Sequence, residues 1–85
     1  MMRAELEEAI EYMAELSEDG SVPRNVKAKM TLIIAELKKV DENQLSLTLN
    51  KLLSDLDEMA NDANLDSFTR QQLWSISSML EGVDA

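Results

Sequence analysis

Laid against itself with a shift of 43 residues, this chain brings apolar positions onto apolar positions and corner onto corner. Ile10, Met13 and Leu16 fall on Leu53, Leu56 and Met59, while Met30, Ile33 and Leu37 fall on Leu73, Ile76 and Leu80. Between them, Asp19 falls on Asp62 and Val22 on Leu65. A chain patterned this way is expected to build one local unit twice, and the spacing says what the unit is. From Arg3 to Ser17, Leu6, Ala9, Ile10, Met13 and Leu16 recur at intervals of three and four, with Glu7, Glu8, Glu11 and Glu15 opposite. That is a helix with one buried stripe. Residues 17–21 break it, and Gly20 is free to take the positive φ that a helix exit often needs. Pro23 suits the first turn of the next helix, where its missing N–H would have had no partner. The second helix runs to about Lys39 with Val26, Met30, Ile33, Ile34 and Leu37 on its buried face, and Lys38 and Lys39 complement the dipole in its last turn.

The second copy follows the same plan. Asp41 with Gln44 three residues later resembles a capping box, which starts a third helix near Glu42 that continues to about Ala60. Its stripe is Leu45, Leu49, Leu52, Leu53, Leu56 and Met59. Residues 61–64 form the second corner, Asp66 or Ser67 caps a fourth helix, and Leu73, Ile76, Leu80 and Val83 line it until Gly82 weakens it. Short connections predict that consecutive helices pack antiparallel. The expected fold class is therefore all-α: a four-helix bundle in one domain over residues 1–85, built from two antiparallel hairpins at about 3–39 and 42–82. A two-helix unit repeating at about 40 to 47 residues is also the period of HEAT solenoids, in which each unit leans on its neighbour for part of its burial. The pair is expected to be HEAT-like.

Charge and missing residue types narrow the chemistry. Eight basic residues against 17 acidic ones give a net charge of -9, which repels nucleic acid and anionic membrane at long range. The distribution is uneven: residues 1–20 sum to -6, 21–40 to +4, 41–63 to -5 and 64–85 to -2. A basic second helix between acidic neighbours predicts charge complementarity inside the fold. Histidine and cysteine are both absent, which removes the commonest general base, the commonest metal ligand and all thiolate chemistry. Glu7, Glu8, Glu11 and Glu15 lie opposite the apolar stripe and read as a solvated face, whereas an inward dinuclear carboxylate site would turn them inward. The acidic stretches at 41–43 and 61–64 lack the twelve-residue calcium loop. Gly20 and Gly82 stand alone, so no phosphate-binding loop is present. The reading is of no enzyme, no cofactor and no metal. The amino-terminal stretch is acidic and amphipathic where a signal peptide would be basic and then apolar, and no run approaches the ~18 apolar residues that span a bilayer. A cytoplasmic location with no membrane partner is the expectation.

What is left to use is apolar surface. Trp74 lies about 100° from Leu73 on the helical wheel, Leu47 stands nearly opposite Leu45 and Leu49, and Leu32 points away from the Met30, Ile33 and Leu37 face. Tyr12 and Met79 sit at stripe edges, and Phe68 opens the fourth helix. Burial between hairpins would account for some of these six. The sharper reading makes Trp74, Met79, Phe68, Leu47, Leu32 and Tyr12 a candidate interface for a protein partner or a second copy, giving a homo-oligomer and most simply a dimer. The alternative function, a nucleic-acid or ribonucleoprotein accessory, would rest on Arg24, Lys27 and Lys38 as phosphate contacts. No aromatic stands beside them to stack on bases.

The string from Glu18 to Lys27 (EDGSVPRNVK), with the later segments 56–62 (LDEMAND) and 69–74 (TRQQLW), resembles uncharacterised protein family 0147, a group of short archaeal helical proteins with no assigned biochemical role. The resemblance spans about Ile10 to Leu80. It departs at Leu65-Asp66, where a proline is expected after the apolar residue, and at residues 45–50, which lack an expected arginine. The resemblance implies an archaeal origin and a small helical fold, and it carries no active site over to these positions. Pro23, Arg24 and Asp19, with Asp62 and Arg70, resemble the corner arrangement of HEAT-like units. There an arginine is expected to bridge to the corner carboxylate of the other unit.

Overall fold

The computed structural model describes residues 4–83, and Arg3, read above as the start of the first helix, lies outside them. Among the described residues four α-helices occur and no strand: α1 (Ala4–Ser17), α2 (Arg24–Lys38), α3 (Leu45–Ala60) and α4 (Ser67–Val83). The stripes read from spacing are the faces that pack. Leu6, Ala9, Ile10, Met13 and Leu16 of α1 are buried, as are Val26, Met30, Ile33 and Leu37 of α2. From α3 come Leu45, Leu49, Leu52, Leu56 and Ala60, and from α4 Thr69, Leu73, Ile76, Leu80 and Val83. With Val22 from the first corner, the apolar members form one continuous core. Ile34, Leu53 and Met59 sit at the edges of their stripes and are only half-buried against it.

Helix α1 lies against α2 on one side and α4 on the other, and α3 lies against α4. The α2–α3 seam is much the looser of the four contacts, and no Cα of α1 comes within 8 Å of α3, nor of α2 with α4, among the described residues. Each helix therefore has two neighbours and a diagonal partner. Tyr12 ties α1 to α4 through a hydrogen bond from its hydroxyl to Gln72 Oε1. Across the loose seam, Lys51 Nζ meets Glu36 Oε1 at 3.0 Å. The polarity of that pair is the reverse of the expected one, since the base comes from acidic α3 and the acid from basic α2.

Two local expectations change. Gly20 does not adopt a positive φ; the first corner is closed instead by Asp19, whose Oδ1 accepts the Ser21 N–H at 2.8 Å and whose carbonyl accepts the Val22 N–H at 3.2 Å. A side-chain-closed turn needs no left-handed residue. The third helix opens at Glu42 behind its cap Asp41, but its first turn is not α-helical. The Gln44 N–H donates to the Asp41 carbonyl at 2.9 Å, and this three-residue closure winds a 3₁₀ turn, Glu42–Gln44, before α3 begins at Leu45. Val83 is buried on α4 as expected, with Gly82 inside the helix; tertiary burial outweighs the ~1 kcal/mol propensity cost of one glycine.

Candidate functional site

The two corners span residues 18–23 and 61–66, and most of their hydrogen bonds correspond at the same shift, although the Glu18 N–H bonds the Glu15 carbonyl and the Asn61 N–H that of Asp57. Asp62 Oδ1 accepts the Asn64 N–H at 2.9 Å and its carbonyl accepts the Leu65 N–H at 3.1 Å, as Asp19 does for Ser21 and Val22. The Lys27 N–H bonds the Pro23 carbonyl at 3.0 Å, and the Arg70 N–H bonds that of Asp66 at the same distance. What differs is the cap. Pro23 offers α2 no side-chain acceptor, whereas Asp66 takes the Thr69 N–H at 3.0 Å and the Thr69 hydroxyl at 2.7 Å. These bonds, the backbone one foremost, hold the Asp66 carboxyl below its ordinary pKa. Thr69 is thereby satisfied although fully buried.

Arg70 does not reach a carboxylate of the other unit. Its Nε donates to the Ala60 carbonyl at 2.9 Å, and its Nη2 donates to the carbonyls of Asp62 and Leu65 at 3.0 and 3.1 Å. The guanidinium fork caps the carbonyl end of α3 and stitches its own corner to α4. At the shift of 43 the residue matching Arg70 is Lys27, and Arg24 matches Ser67. Arg24 is exposed at the start of α2. The side-chain bonds of Asp19, Asp62, Asp66 and Arg70 all stay within their own corner and the helices it joins.

The candidate interface residues divide. Tyr12 and Met79 are half-buried against the core, which leaves each with an edge to offer. Leu32, Leu47, Phe68 and Trp74 are exposed. Leu32 precedes Glu36 by one turn of α2, and Leu47 precedes Lys51 by one turn of α3, so both lie on the side of their helices that carries the Glu36–Lys51 pair. They flank the open α2–α3 seam. At its other end the seam widens into a cleft of about 260 Å³ with Val26, Met59 and Leu65 among its apolar lining and Lys29, Asp55, Glu58 and Asp62 around it. Early residues of α2 thus face late residues of α3, and α2 and α3 run antiparallel. Sequence reasoning missed this cleft. Its apolar lining, Val26, Met59 and Leu65, read in sequence simply as core and corner positions. Of the candidate phosphate contacts, Arg24 and Lys38 are exposed at opposite ends of α2, roughly 21 Å apart by helical rise, and Lys27 is half-buried.

No group of three or more metal-ligating side chains comes together among the described residues, and no helix among them is long and apolar enough to cross a membrane. The model of the Uncharacterised protein family (UPF0147) matches residues 1–83. A UPF0147 protein of Archaeoglobus fulgidus is 32% identical over 83 residues, covering 98% of this chain and 93% of that one. UPF0147 proteins of Thermoplasma volcanium and Thermoplasma acidophilum are each 40% identical over 76 residues, covering 89% of this chain and 84% and 85% of theirs. No solved structure matches the chain significantly. With the family pattern running through both corners and all four helices, this chain belongs to the Uncharacterised protein family (UPF0147).

Proposed function

We propose that this chain is a non-enzymatic protein-binding module of the cytoplasm that associates with itself. The observation that carries the reading is a filled core beside large apolar side chains left in water: Leu47 is 74% exposed, Leu32 61%, Trp74 54% and Phe68 44%. One exposed leucine means little. Four such side chains, two of them aromatic and two beside an open seam, are the kind of group that anchors protein contacts. The corner correspondence supports a finer description of the scaffold, two antiparallel hairpins that are HEAT-like in their turns and wrap around a shared core.

Light scattering from about 1 µM to about 1 mM tests the reading, a range that covers weak to moderate dimers. A dimer is expected, and alanine at one or more of Leu32, Leu47, Phe68 and Trp74 should move its midpoint to higher concentration. A strict monomer throughout overturns it. The nucleic-acid alternative has less support, because Arg24 and Lys38 are far apart, Lys27 is half-buried, and the chain carries a net charge of -9. RNA binding that collapses with added salt would favour it.

A further inference from the structure

We infer that the α2–α3 face is where a second copy of this chain docks, face to face and with its helices antiparallel to the first. The inference rests on the self-association reading and names its surface. The seam is the one contact between neighbouring helices that is left open, and its two ends carry different features. At the end where α3 finishes lie the cleft and the carboxylates of Asp55, Glu58 and Asp62. At the end where α3 begins lie Lys51 and the exposed Leu47. A two-fold axis crossing the seam brings unlike ends together, which is what an isologous interface requires of a self-complementary surface.

The Glu36–Lys51 pair sets the two helices in register, so rise per residue gives the level of every other side chain. On that scale Ile33 of α2 and Ser54 of α3 are level at the middle of the seam. An axis there carries Leu47, about 10 Å to one side, over the cleft about as far to the other side. Lys51 then comes opposite the stretch of α3 holding Asp55 and Glu58 in the second copy. Lys29 comes within a residue of the level of Glu36, and Leu32 lies beside its own counterpart across the axis. An apolar knob thus meets an apolar-floored cleft, and both helices find opposite charge. The favourable local pattern offsets the repulsion expected between two chains of net charge -9.

Sedimentation velocity of the purified chain and its variants tests this. Leu47→Asp should weaken the dimer by at least about tenfold, as expected for a central anchor. Its exposure means that helix content and thermal midpoint should stay at the parent values, and circular dichroism checks that they do. Glu58→Lys lowers the net negative charge, so simple repulsion predicts a tighter dimer, whereas the docking proposed here predicts a weaker one. Adding Lys51→Glu to Glu58→Lys should restore association to within about threefold of the parent by re-pairing the charges. If the chain dimerises and Trp74→Ala abolishes it while Leu47→Asp and Glu58→Lys change nothing, the seam is not the interface, although self-association stands. If the parent chain is monomeric at every concentration, both fail together.

Discussion

Asp66 shows how a single side chain can be read from local pattern and then given an energetic sign by the structure. With Ser67 it was one of two legible caps, because both precede a long apolar period with a polar corner behind it. The bonds from the Thr69 N–H and hydroxyl, helped by the positive charge of Arg70, favour its ionised form and lower its pKa from 3.8. A carboxyl whose folded pKa is depressed contributes stability that is complete above the unfolded value and disappears as the pH falls through the folded one. Asp66→Ala should therefore lower the thermal midpoint at neutral pH, and its deficit relative to the parent should shrink as melts are taken into the acid range below 3.8. A deficit that stays constant through that range would mean the ionised cap is not its source.

At the scale of the element, the corners are one design executed with different chemistry. Both close on an aspartate, and the second adds a capped helix start and an arginine across its carbonyls. Arg70→Ala should cost about 1.5 to 3 kcal/mol in chemical denaturation, the range for hydrogen bonds to a charged group. Arg70→Lys should recover less than half of that, since a point-like ammonium cannot reproduce the fork that reaches Ala60, Asp62 and Leu65. Full recovery by lysine would reduce the arginine to a bare charge. The role was only half legible beforehand. That Arg70 served a corner could be read from its place after one, but its partners are main-chain carbonyls whose direction depends on the folded turn. The same limit applies at Gly20, where spacing predicted an exit glycine and the aspartate beside it closes the turn.

For the whole molecule, the radius of gyration is 12.2 Å, close to the ~12 Å expected of a compact chain of this length. Two leucines of α3 separate core from surface. Leu56 is fully buried and Leu47 is 74% exposed. Leu56→Ala should cost about 2 to 5 kcal/mol through lost burial and the cavity left behind. Leu47→Ala should leave monomer stability within about 0.5 kcal/mol. Denaturant titration of the dilute chain measures both, and comparable losses would mean that the face carrying Leu47 belongs to the core.

The helices, their buried stripes and the two matched corners follow from the order of the residues, because each depends on side chains within about four positions of one another and on turns that close locally. Short connections also predict that consecutive helices pack together, but not how tightly each pair closes nor which further neighbour each helix takes. That α1 sits between α2 and α4, that the α2–α3 seam stays open, and that Lys51 reaches Glu36 across it are decided when four stripes compete to cover one core. Helices of similar length and amphipathicity can satisfy that competition in more than one arrangement, and spacing along the chain carries no term that separates them.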